Sequence, residues 1–117
     1  MTRYVLSAVA ALALAGPAWA ELQPVRDKSK FMQIVQGKTL SRPFVTLQVS
    51  GNGQISGKGA TRPVTGSWRW DGGFFCRDLN WGDRALGYNC QEVRVNGDTI
   101  RFTSDKGAGD SADFRLR

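Results

Sequence analysis

Between Pro43 and the C-terminus, apolar and polar side chains alternate in short runs, and glycine-rich turns separate the runs. A period of two belongs to a β-strand with one buried face. "PFVTLQVS" sets Val45, Leu47 and Val49 on one face, and "GNG" (51–53) turns the chain into the glycine-rich "QISGKGA", where close backbone approach is expected. "PVTGSWRW" aligns Val64, Trp68 and Trp70 before "DGG" (71–73), a tight hairpin signal that leads into "FFCRDL". After "NWGDRALG", read as a longer connection, "YNCQEVRV" and "NGD" (96–98) lead into "TIRFTS", with Ile100 and Phe102 inward. A final "SADFRLR" alternates Ala112, Phe114 and Leu116 with polar residues. Six or seven short antiparallel strands joined mostly to their neighbours make an up-and-down sheet, which must curl to bury one face.

The segment before this pattern differs. "MTRYVLSAVAALALAGPAWA" has a basic start, an apolar run from Val5 to Ala15, and small residues at Ala18 and Ala20, the layout of a cleaved secretory signal peptide. The run is shorter than the roughly 20 residues that span a bilayer, so residues 1–20 read as a signal rather than an uncleaved anchor. No second apolar stretch follows, and residues 21–117 are expected to form a single small β domain without a transmembrane segment, periplasmic or secreted. Its one expected helix, Lys28 to Gln36, has Asp27 as N-cap, Phe31, Ile34 and Val35 at helical spacing, and Gly37 as a stop.

Gly66 to Cys90 concentrates Trp68, Trp70, Trp81, two phenylalanines, a tyrosine and both cysteines. A small exported domain has a thin core, and Cys76 and Cys90 are most simply one disulfide, worth about 3 kcal/mol in the chain-entropy account. That bridge would tie down the Asn80–Gly87 excursion. Trp68 and Trp70 share parity with Val64 and are expected in the core. Trp81, among Asn80, Gly82 and Asp83, is expected in a loop where packing does not require it.

Several chemistries are excluded or disfavoured. The chain has no histidine, so Ser-His-Asp and Cys-His sites cannot be built. With two cysteines and no histidine, a zinc or iron–sulfur site is not expected. "GNGQISGKG" lacks the phosphate-loop spacing, and no dinucleotide fingerprint occurs, so no cofactor is expected. "GDS" (109–111) is read as a turn. A two-carboxylate glycosidase using Asp78, Asp83 and Glu92 is formally possible but needs a deep cleft. Of 16 basic residues Arg3 lies in the leader, and the remaining fifteen, against ten acidic ones, are scattered. That pattern is no nucleic-acid footprint and reads first as a merely solvated surface; as a binding surface in an exported protein it would suit an acidic glycan, lipid headgroups or an acidic protein.

Taken together, the leader, "ISGKG", "VTGSWRW", "FFCRDLNWGDRALGYNC" and "FTSDKGAGDSADFRLR" resemble a group of short exported proteins of Gram-negative bacteria. They are largely of unknown function, and some carry the inherited name dihydrodipicolinate reductase. The resemblance covers most of residues 21–117 and implies a lipocalin-like small β domain with one disulfide. It carries over no catalytic residue, because no glycine-rich nucleotide loop or histidine-bearing catalytic stretch has a match here.

The function expected from these readings is a non-enzymatic β-barrel-like module that binds a small ligand, an acidic glycan or an envelope protein. Its candidate contacts are Trp81, Arg84 and Tyr88, with Arg77 and Asp78 beside them. An enzyme, as some relatives are named, and a purely structural envelope protein are the alternatives.

Overall fold

The computed structural model describes residues 21–117; the expected leader, residues 1–20, lies outside the described residues. Nine strands form in chain order: β1 (Gln23–Val25), β2 (Leu40–Arg42), β3 (Val45–Val49), β4 (Gln54–Gly59), β5 (Arg62–Asp71), β6 (Phe74–Trp81), β7 (Arg84–Asn96), β8 (Thr99–Thr103) and β9 (Ser111–Leu116). Helix α1 (Lys28–Val35) lies between β1 and β2, and one 3-10 turn (Asp105–Gly107) between β8 and β9. From β2 to β9 each strand pairs antiparallel with the next, and β2 pairs with β9 through Leu40–Leu116 and Ser41–Arg115. The meander therefore closes into an eight-stranded barrel. β1 adds to β7 at Val93–Val95, beyond the stretch of β7 that β6 occupies.

The strand count exceeds the expected six or seven because β1 and β2 are three residues each, too short to show alternation. The region 80–87 is also corrected. Asn80 to Gly87 is no loop: β6 runs through Trp81, β7 begins at Arg84, and Gly82-Asp83 alone makes the turn. Gly82 has φ of +59°, the left-handed conformation a two-residue hairpin turn requires. Trp81 is a strand residue paired with Val64 on one side and Arg84 on the other.

Helix α1 starts where Asp27 accepts the Lys30 N–H at 2.7 Å, and it stops before Gly37 (φ +75°). Its buried residues Phe31 and Val35, one turn apart, face the barrel. The Phe31 ring centroid lies 5.4 Å from that of Trp68, 5.0 Å from Trp70, 5.1 Å from Phe75 and 6.5 Å from Phe102. Trp68 is buried and donates its indole N–H to the Ser50 carbonyl at 2.8 Å; half-buried Trp70 donates to the Arg26 carbonyl at 3.2 Å. These contacts gather the 50–53 turn, the 71–74 hairpin and the helix at one end and fill it with aromatic rings. An up-and-down topology puts the turns 43–44, 60–61 and 82–83 at the other end.

Candidate functional site

The open end is where apolar surface stays uncovered. A cavity of about 470 Å³ is lined by Phe44, Val45, Leu47, Gly59, Ala60, Val64, Leu79, Trp81, Leu86 and Phe114, without a charged side chain. Phe44 is 85 % and Leu86 48 % exposed, so two large apolar side chains stand in water at its rim. Below lies a second cavity of about 180 Å³, which shares Leu47, Leu79 and Phe114 with the first and continues down to Leu40, Ile55, Phe75 and Phe102. The barrel is thus a cup, stoppered by Phe31 and open at the top.

Local sequence explains how the walls are made. Phe75, Arg77, Leu79 and Trp81 alternate inward along β6, while Cys76, Asp78 and Asn80 alternate outward. Gly59 lies under the Trp81 indole: its carbonyl accepts the indole N–H at 2.8 Å, and a β-carbon there would sit 3.1 Å from Nε1. A β-carbon at Gly66 would overlap the Asp78 carbonyl and press on Leu79, so that glycine lets β5 and β6 approach closely. The Arg62 guanidinium lies 4.6 Å from the Trp81 ring centroid and pairs with Asp83 at 2.6 Å, holding the indole from outside.

Two rim turns are strained. Phe44 (φ +67°) and Ala60 (φ +53°) occupy the left-handed region that glycine usually fills, at a cost of about 1 kcal/mol or more each. A 2.7 Å hydrogen bond from the Ala60 N–H to the Phe44 carbonyl ties the turns together. Following Pro43, this conformation projects Phe44 from the rim. Leu86 arrives there by another device. The β6–β7 register shifts between Leu79 and Asn80, so that Leu79 pairs with Gly87 and Asn80 with Ala85. Leu86 is the extra residue of this bulge, which moves it off the outward face it would share with Tyr88 and onto the cavity.

The five expected contact residues fall in three places. Trp81 walls the mouth, and Arg84, its cross-strand partner, is exposed at the turn. Arg77 is half-buried inside the barrel and lines the lower cavity, where it donates Nη1–H to the Gly87 carbonyl at 2.9 Å. Burial pushes the Arg77 guanidinium below its ordinary value, opposed by the neighbouring Asp78 carboxylate. Asp78 and Tyr88 pair across β6 and β7 on the outer wall, beside a shallow groove with Ser67 and Arg69. Cys76 and Cys90, registered partners on that wall, form the disulfide. The carboxylates considered for glycoside hydrolysis do not oppose one another: Asp78 and Glu92 line different surface grooves, Asp83 pairs with Arg62, and Glu92 pairs with Arg94 at 3.1 Å.

Phe44, Ala60, Leu79, Leu86 and Phe114 were not among the expected site residues. Pro43-Phe44 at a turn where glycine is usual was the legible signal for one of them. The fold and cup define a small closed antiparallel barrel with an apolar mouth. Comparison with family models, with curated proteins and with solved structures gives no match to this chain.

Proposed function

We propose that the protein is an exported, non-enzymatic module that takes an apolar small molecule into the open end of its barrel. The observation that carries this reading is the uncharged cavity of about 470 Å³ with Phe44 and Leu86 exposed at its rim. Its size lies within the span of small-molecule pockets, roughly 300–1,000 Å³. Strain at Phe44 and Ala60 supports it, because strained backbone recurs at ligand clamps. The disulfide and the leader pattern support export, since such bridges persist in oxidising compartments. Among the described residues no helix is long and apolar enough to cross a membrane. The likeness to short exported proteins of Gram-negative bacteria belongs to the same reading. An acidic glycan suits the mouth poorly, because its walls offer sugar hydroxyls no polar side chain.

Titration with the neutral fluorophore N-phenyl-1-naphthylamine tests the reading. Saturable enhancement at one site is expected, with affinity lowered about tenfold or more by Leu86→Asp, which sets a charge where apolar surface would be covered. The reading is wrong if the fluorophore shows no saturable binding, or binds Leu86→Asp and a cavity-filling Leu79→Trp as well as it binds the native protein.

A further inference from the structure

We propose that the cup binds a single-chain amphiphile carrying a carboxylate, head first, with Arg77 as the anchor for the anionic group. This inference rests on the apolar-ligand reading above and names the class of ligand. Among the described residues Arg77 is the charged side chain lining the lower cavity, whose other walls include Leu40, Leu79 and Phe102. A guanidinium carries five N–H donors in a planar fork suited to a carboxylate. One donor is spent on the Gly87 carbonyl, and no ion pair joins Arg77 to a carboxylate among the described residues. Asp78, next in the chain, faces the outer wall.

No side-chain nitrogen among the described residues is both sealed from solvent and without a partner, so the donors Arg77 does not use reach accessible space, on a side chain that lines the lower cavity. A half-buried arginine without an anionic partner is partly desolvated, and that cost falls when an anion enters. The electrostatics agree, since desolvation already pulls the guanidinium's proton affinity down. The two cavities adjoin at Leu47, Leu79 and Phe114, so a chain whose carboxylate reaches Arg77 lies along the apolar mouth and passes between Phe44 and Leu86. The opposite orientation would place the head group near Arg84 and Arg42 at the rim, in water, where an ion pair is worth little.

Displacement of N-phenyl-1-naphthylamine by dodecanoate and by dodecanol, which share a chain and differ in the head, tests the anchor. Dodecanoate is expected to bind about tenfold or more tightly than dodecanol at neutral pH, in line with a hydrogen-bonded charge pair out of water. Arg77→Met should abolish that preference while keeping dodecanol binding, and Arg77→Lys should keep part of it. Equal affinity of the native protein for the two ligands overturns the anchor and leaves the apolar-ligand reading standing; failure to bind either ligand or the fluorophore overturns both. A preference that survives Arg77→Met but disappears in Arg84→Ala puts the head group at the rim and also overturns the anchor. Fluorophore binding by each variant shows that it is folded, and if Arg77→Met does not fold, the native comparison and Arg77→Lys decide.

Discussion

Trp68 and Trp81 stand on neighbouring strands and both donate an indole N–H to a backbone carbonyl at 2.8 Å, yet their surroundings differ. Trp68 is 6 % exposed and packs against Phe31 and Phe75, whereas Trp81 has one face on Arg62 and the other toward the open cavity. Trp68→Ala should therefore cost about 3–5 kcal/mol in urea unfolding, the range for a large aromatic removed from a packed core. Trp81→Ala should cost less, about 1–2 kcal/mol from the lost hydrogen bond and cation–π contact, while weakening fluorophore binding severalfold. Equal destabilisation by the two substitutions, with binding intact in Trp81→Ala, would make Trp81 a piece of scaffold. Parity in "VTGSWRW" placed Trp68 in the core from sequence alone. It could not place Trp81, because a reader who takes "NWGDRALG" as a loop has no strand to count along.

The β6–β7 hairpin is the element on which the mouth depends. β8 pairs with β7 at Glu92–Asn96, so Arg84–Gln91 has a strand partner on the β6 side and, on the other, a tether to the β8–β9 loop: Asn89 donates to the Asp105 carboxylate at 2.8 Å and accepts its backbone N–H at 2.9 Å. The Cys76–Cys90 bond crosses the hairpin below the bulge and limits how far this half can separate from β6. Removing it in Cys76→Ala/Cys90→Ala should lower stability by about 3 kcal/mol. Amide hydrogen exchange should rise first around Leu79–Gly87 and least around Phe102. Uniform acceleration would show that the bond acts on the unfolded chain alone. The pairing was readable from the cysteine count, but the bulge was not: a register shift depends on how two strands meet, and the pattern within either strand is unchanged by it.

At the scale of the whole molecule, part of the cross-strand charge pairing lies on the β8–β9 ladder, which includes the strand on which β2 closes the barrel. Arg101 and Asp113, registered partners, are joined by two hydrogen bonds of 2.6 and 3.0 Å. The hydrogen bond and charge of Arg101 hold the Asp113 carboxyl below the usual carboxylate range, partly offset by desolvation. A depressed carboxylate pKa adds stability that is present above the unfolded value and is lost as pH falls through the folded one. Asp113→Asn should thus be less stable than the native protein near neutrality, and the gap should close on acidification below about pH 4. A gap that stays constant or widens in acid would remove the pair from the account of stability. Export is read at this scale too: the chain recovered from the periplasm should begin at Glu21 and weigh two hydrogens less than its reduced form. A full-length chain found in the cytoplasm alone would contradict it.

What the sequence determined by itself is local. Period-two alternation fixed the inward face of β5, β8 and β9, Gly72-Gly73 and Gly97-Asp98 fixed two hairpins, and Asp27 with Gly37 set the ends of the helix, because each depends on neighbours within a few residues. Tertiary structure alone decided the closure of β2 on β9, the lid that Phe31 makes over Trp68 and Phe75, and the turn of Leu86 toward the cavity. Each of these requires residues distant in the chain to meet, as Leu40 meets Leu116 and Gly59 meets Trp81. A side chain's own period carries no record of which strand will lie beside it, so a cup built from several strands becomes visible only when the barrel closes.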